Sequence, residues 1–291
     1  MTNSDIFYPP RNFAGIPSPI CDLETARVVV SPVPYDSTTE YRAAGRSGPQ
    51  AIIDASMDLE LFDMELGREA HWMGIHTSSE LQPSMLGPEH QVARVRQAAS
   101  WVLEMGKIPV MLGGEHSLTL GMVQALHERV PDLTVLQFDA HADLRDEYLG
   151  TKYSHACVMR RVLELCPIVQ VGIRSMSQDE HRLLVEKKMH PFYAHDLKLD
   201  EKSLERIVSG LGPNVYITID LDVLDPSVMA SVGTPEPGGL SWYQLLTMLR
   251  AVTKKRQVLG FDLVELCPRE GPYACAFTAA KLAYKLMGYI T

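Results

Sequence analysis

Asp139, His141 and Asp143 alternate with two alanines in Asp-Ala-His-Ala-Asp. Carboxylates and an imidazole so spaced are donors for divalent cations. On an extended strand all three side chains share one face, but positions i and i+4 lie about 13 Å apart, too far to share one small ion. Asp139 is therefore expected at a strand end and Asp143 on a chain that curls back, with Ala140 and Ala142 small enough to permit the curl. Asp220 and Asp222 repeat the i, i+2 spacing in Thr-Ile-Asp-Leu-Asp. Their Cα atoms are about 7 Å apart on a strand, which suits two ions roughly 3.5–4 Å apart with a carboxylate between them. His116, in a loop opened by Gly113 and Gly114, completes a ligand set of His116, Asp139, His141, Asp143, Asp220 and Asp222. Without cations the converging aspartates would repel and have to stay protonated. A mixed carboxylate and imidazole set suits two Mn²⁺, with Co²⁺, Ni²⁺ or Fe²⁺ as alternatives, better than zinc.

The elements that must position these groups alternate in type. Apolar, β-branched runs at Arg27–Val33, Ile108–Met111, Leu133–Phe138, Ile168–Ile173, His190–Ala194, Val215–Ile219 and Val258–Leu263 read as strands. Helical patterns cover Pro49–Leu66, Gln91–Gly106, Leu118–Val130, His155–Cys166, Gln178–Lys188, Glu201–Ser209, Ser241–Thr253 and Cys275–Met287. This order predicts an α/β chain, a single-domain three-layer α/β/α arrangement with a mostly parallel sheet over 1–291, residues 1–25 being an N-terminal extension packed on it. Open parallel sheets hold ligands beyond the carboxyl ends of their strands. Gly-Gly-Glu-His-Ser, Asp-Ala-His-Ala-Asp, Asp-Leu-Asp and Val-Glu-Leu each follow a strand, so one shared site is expected.

Composition narrows the classes. The 291 residues are 46% hydrophobic with a net charge of −9, which excludes an unfolded chain. The acidity argues against nucleic acid as a partner and suits a cationic substrate. No apolar run is long enough for a membrane span. The first residues lack a basic stretch followed by an apolar one, so a cytoplasmic protein is expected. Five cysteines without Cys-x-x-Cys spacing read as free thiols. No Gly-Lys-Ser/Thr follows the glycine pair, which argues against a phosphate cradle.

Gly-Gly-Glu-His-Ser (113–117), Asp-Ala-His-Ala-Asp (139–143) and Thr-Ile-Asp-Leu-Asp (218–222) together resemble the signatures of the ureohydrolase family of arginases, agmatinases and relatives. Gly233-Thr-Pro-Glu-Pro-Gly-Gly239, Pro34-Tyr-Asp-Ser and Gly45-Arg-Ser-Gly-Pro-Gln-Ala-Ile52 are similar to its agmatinase-type branch. The resemblance runs from about Val30 to Cys275. One departure is Ala230-Ser231, where the family commonly has Pro-Gly. The resemblance implies an arginase/deacetylase-like fold with one ion held by His116, Asp139, Asp143 and Asp220, and the other by Asp139, His141, Asp220 and Asp222. It assigns catalytic roles to Asp143, His155 and Glu265, with His155 moving protons and Glu265 binding guanidinium. It implies hydrolysis of a guanidino group to urea and an amine, and a homo-oligomer, trimeric or hexameric. Arg145 stands where arginases carry an asparagine, which points to agmatine, giving putrescine, before aminopropylagmatine, guanidinobutyrate or another guanidino compound. Besides His155 and Glu265, Glu180 is a candidate for substrate binding, with Asp146 and Glu147 as further carboxylates for a distal ammonium. Readings from other classes are a single-zinc deacetylase-like amidohydrolase, a non-catalytic relative and a two-metal phosphoesterase.

Overall fold

In the computed structural model, which describes residues 9–291, ten strands and eight α-helices are found among the described residues. The strands are β1 (Val28–Val33), β2 (Phe62–Asp63), β3 (Arg68–Glu69), β4 (Ile75–Thr77), β5 (Ile108–Gly113), β6 (Leu133–Phe138), β7 (Ile168–Ile173), β8 (Phe192–Tyr193), β9 (Asn214–Asp220) and β10 (Gln257–Val264). The helices are α1 (Gly48–Ser56), α2 (Pro88–Glu104), α3 (Thr119–His127), α4 (Val158–Val162), α5 (Gln178–Glu186), α6 (Glu201–Ser209), α7 (Trp242–Thr253) and α8 (Ala274–Ile290). Eight strands pair in the order β4-β1-β5-β10-β9-β6-β7-β8, and every pair in that sheet is parallel.

Both faces of the sheet are covered, which is why its strands read as unbroken apolar runs. Val110 and Leu112 enter one core while Met111 enters the other; Val215, Ile217 and Ile219 alternate in the same way with Tyr216. One core takes Ile52, Ile207, Leu245 and Ala279 from α1, α6, α7 and α8, together with Phe13 and Ile16 from the N-terminal segment. The other takes Val92, Leu120, Val158 and Leu183 from α2, α3, α4 and α5. This is the three-layer arrangement expected. Residues 1–8 of the proposed N-terminal extension lie outside the described residues. No described helix is long and apolar enough to cross a membrane.

Two expected helices are shorter. Helix α1 ends at Ser56, and Met57, Asp58 and Leu59 close tight turns onto the carbonyls of Asp54, Ala55 and Ser56. The rest of the stretch expected to be helical to Leu66 forms the β2–β3 hairpin. Its turn is set by Asp63, which accepts from the Glu65 and Leu66 N–H groups, and by Gly67 at φ 65°. The stretch His155–Cys166 divides into a 3₁₀ turn over His155–Cys157 and the short α4. The edge strand β4, three residues long, carried too little pattern to be expected.

The hairpin also explains a buried lysine. Lys285 of α8 is 6% exposed, and its Nζ lies 2.8 Å from both Asp63 and Glu65 carboxylates. Glu65 further accepts from Arg250 and Tyr289. Burial alone would raise Glu65, but Lys285, Arg250 and Tyr289 bring it down to about 2, and Lys285 likewise lowers Asp63. These carboxylates therefore stabilise the fold fully above the ordinary carboxylate range, and the contribution disappears as pH falls toward 2. Lys285→Met strands the buried Asp63 charge and is expected to cost about 3 kcal/mol of unfolding free energy. Urea titration at neutral pH measures the loss, which should shrink at acid pH; an unchanged midpoint would show that the pair contributes nothing.

Candidate metal centre and active-site cavity

Sheet order gathers the chemistry. Strands β5, β10, β9 and β6 are successive neighbours, so their carboxyl ends bring His116, Glu265, Asp220 and Asp139 side by side. Register sets Asp220 opposite Val264, the residue before Glu265. Gly114 is required by packing: a Cβ there would lie 1.9 Å from the Tyr35 carbonyl oxygen. That approach lets Gly114 and Glu115 donate to the Val33 and Tyr35 carbonyls and fixes the loop that carries His116.

The expected curl is present. Asp139 directly follows β6, and the chain then bends along Ser175, whose N–H donates to Ala140 O while its carbonyl accepts from Ala142 N. Asp143 has φ 54°, a left-handed conformation uncommon for a non-glycine residue. As a result the Oδ2 atoms of Asp139 and Asp143 both lie 3.0 Å from His116 Nδ1, and Asp220 Oδ2 lies at 3.5 Å. Beside them, His141 Nδ1 is 2.9 Å from Asp222 Oδ2 and 3.7 Å from Asp139 Oδ1. Two groups thus have ligand atoms close enough to surround an ion: His116, Asp139 and Asp220, and Asp139, His141 and Asp222. Asp139 belongs to both, and Asp143 touches the first.

The electrostatics fit cations. His116 Nδ1 is buried without a hydrogen-bond partner although three carboxylates surround it. Burial, with Asp143 and Asp222 nearby, raises Asp139 to about 7, and burial with the Asp222 and Asp139 charges raises Asp220 strongly. Burial would lower His141, yet the Asp222 carboxylate raises it to about 10. In the protein alone, protons on imidazoles and carboxylates supply the positive charge that two divalent ions would bring.

Several supporting residues were not anticipated. The fully buried Asp262 lies opposite Thr218 in the β9–β10 register. It accepts hydroxyl hydrogens from Tyr216 and Thr218 at 2.6 Å and from Thr119 at 2.8 Å. Thr218 gives its proton to Asp262, so its oxygen accepts from His116 Nε2 at 2.9 Å, which places a proton on Nε2 and makes Nδ1, among the carboxylates, the nitrogen offered to a cation. Gln137 donates to Asp139 Oδ2 at 2.7 Å and is itself held by Gln170. Arg174 ties the Asp222 and Glu236 carbonyls together. The departure at Ala230-Ser231 is accommodated, since Ser231 is buried and its carbonyl accepts from Cys267 N.

A cavity of about 270 Å³ opens onto the centre, lined by Asp143, Asp220, Glu265, His155, Tyr148 and Glu40 among others. Glu265 is 8% exposed at φ 67°. Its Oε1 accepts from His116 N at 2.7 Å, leaving Oε2 toward the cavity. Burial raises its carboxyl to about 8. His155 is held by Thr38, whose oxygen lies 3.0 Å from both the His155 N–H and Nδ1. Thr38 gives its own proton to the buried Glu115, which also accepts from the Ser37 and Thr38 N–H groups. This network protonates Nδ1 and turns Nε2 to the cavity.

Glu180, expected to bind substrate, also has partners within the protein. It lines the cavity, but its carboxylate closes the capping box of α5 with Ser177 and accepts from Leu144 N at 2.8 Å. Asp146 pairs with Arg161 at 2.6 Å, and Glu147 lies outside the cavity.

Residues 26–288 match the model of the arginase family. The chain belongs to that family. This arginase-family hydrolase is 42% identical to N(1)-aminopropylagmatine ureohydrolase of Synechocystis sp., covering 96% of each chain. It is 45% identical to the Thermus thermophilus protein of the same name, over 91% of this chain and 90% of the relative. Among solved structures, agmatine ureohydrolase of Thermoplasma volcanium superposes with a TM-score of 0.87 at 33% identity, over 98% of this chain and 96% of the other.

Proposed function

We propose that the chain, as one catalytic unit over 1–291, hydrolyses the guanidino group of an amine-bearing guanidine to urea and a polyamine. The observation that carries this reading is Glu265, a buried carboxylate beside the metal centre that no lysine or arginine neutralises among the described residues and whose Oε2 faces the cavity. An uncompensated buried carboxylate is costly until a cation meets it. N(1)-Aminopropylagmatine is the leading substrate, because proteins of that name are 42% and 45% identical to this chain. Agmatine, the expectation from sequence, is the second reading, supported by the Bacillus subtilis agmatinase at 31% identity.

His116, Asp139, His141, Asp143, Asp220 and Asp222 would hold two Mn²⁺ ions, as their oxygen and imidazole donors favour. Such ions, when bound, supply a water acidic enough to be deprotonated near neutral pH. Glu265 holds the planar guanidinium by charge-assisted hydrogen bonds and presents its carbon to the centre. Asp143 Oδ2 takes a proton and returns it to the departing nitrogen, while His155 Nε2 exchanges protons with the leaving amine. The five free cysteines support a reducing, cytoplasmic setting. The family resemblance, with exposed Trp72, Tyr243 and Phe277, supports a homo-oligomer, trimeric or hexameric.

Urea release is measured for aminopropylagmatine, agmatine, guanidinobutyrate and arginine after loading with Mn²⁺. Aminopropylagmatine is expected to give the highest kcat/KM and arginine little turnover. No urea from any of them sinks the reading, and one zinc per chain with amide hydrolysis would replace it with the deacetylase-like alternative.

A further inference from the structure

A substrate whose guanidinium meets Glu265 must run its amine-bearing tail outward through the cavity, past His155. Among the described residues, five carboxylate residues line that cavity: Glu40, Asp143, Glu180, Asp220 and Glu265. Asp143 and Asp220 face the metal centre, Glu265 faces the guanidinium, and Glu180 is held by Ser177 and Leu144. Glu40 is left, and it lies on the outer side. Its side chain is 43% exposed, against 21% for His155 and 5% for Asp220.

Glu40 is fixed in place rather than free in solvent. Tyr148 donates its hydroxyl hydrogen to Oε1 at 2.5 Å, and Oε2 lies 3.8 Å from His155 Nε2. The Tyr148 ring stands edge-on to His155 with centroids 6.2 Å apart. A methylene chain leaving His155 therefore meets an aromatic wall that ends in a carboxylate. The cations nearby have other partners: Arg42 pairs with Glu270, and Arg145 stacks over Tyr148 and leans toward Glu180. Among the described residues no lysine or arginine pairs with Glu40, so its charge is available to a cation entering the cavity.

We propose that Glu40, positioned by Tyr148, receives an ammonium of the substrate's amine tail and selects amine-bearing guanidines over alkylguanidines that lack a distal amine. This rests on the guanidine-hydrolase reading. A half-exposed ion pair is screened by solvent, so its contribution is modest, a factor of about five.

Wild-type and Glu40→Gln proteins, both loaded with Mn²⁺, are compared on aminopropylagmatine, agmatine and butylguanidine, which has no distal amine. Butylguanidine is read as a substrate or, from its competition with agmatine, as an inhibitor. In Glu40→Gln the KM for the amine-bearing guanidines is expected to rise about fivefold relative to the butylguanidine constant, at unchanged metal content. A change common to all three compounds marks a structural role and overturns the inference, as does no change at all. Urea release by wild type with unaltered selectivity in the variant overturns the inference alone. No urea from wild type with any of the three overturns the hydrolase reading and the inference with it.

Discussion

Asp220→Asn is expected to lose at least about 100-fold in metal affinity, since even outer partners of metal ligands cost 10–100-fold when removed, and to lose urea release with it. Asp220 ends β9 at 3% exposure, accepts from Asp222 N through Oδ1 at 2.9 Å, and turns Oδ2 toward His116 Nδ1. Asparagine keeps the shape and can still accept from Asp222 N. It removes the charge and can turn an N–H₂ donor toward the cations. Stability gives an independent readout. Burial and the Asp222 and Asp139 charges already resist ionisation of Asp220 when no cation is present. Metal-free Asp220→Asn should therefore melt no lower than metal-free wild type, while the rise in Tm on adding Mn²⁺ should shrink by linkage. Elemental analysis after dialysis, with melting curves at matched Mn²⁺, measures both. A variant that keeps two ions and wild-type turnover would remove Asp220 from the centre.

That such a variant can be chosen from sequence reflects where information lies in this chain. Asp139, His141, Asp143, Asp220 and Asp222 occur in short runs whose spacing has few structural uses, and each run follows an apolar strand. The parallel sheet was equally legible, because residues buried on both faces leave long apolar stretches. What stayed hidden depends on pairing between distant segments. Asp262 looks like one more residue in Phe-Asp-Leu-Val-Glu until register sets it against Thr218 and thereby behind His116. Glu180 and Glu40 cannot be ranked from spacing, since what separates them is that Ser177 and Leu144 occupy one while Tyr148 holds the other at the cavity mouth. The helix expected to continue to Leu66 failed for a similar reason. Its apolar spacing persists past Ser56, but Asp63 and Gly67 favour a turn whose carboxylates Lys285, far along the chain, then secures.

Glu265→Gln separates binding the ions from using them. Glu265 contributes no atom to either group of converging ligands, so both ions should remain. Glutamine Oε1 can still accept from His116 N, the contact that holds the loop between β5 and α3, so the fold should also remain. The change falls on the atom facing the cavity, where an acceptor bearing negative charge becomes an amide. Turned as a donor, it meets the donor N–H groups of a guanidinium; turned as an acceptor, it lacks the charge that made the contact strong. Loss of one oriented electrostatic partner at a reacting centre typically reduces turnover about 10²–10³-fold, and that range is expected here. The loss should appear in kcat as well as KM, because the same contact fixes the guanidinium carbon for attack. Metal analysis alongside steady-state urea release tests this directly. Two ions with undiminished turnover would take Glu265 out of the reaction, whereas loss of the ions would show that the carboxylate supports the centre itself rather than the substrate.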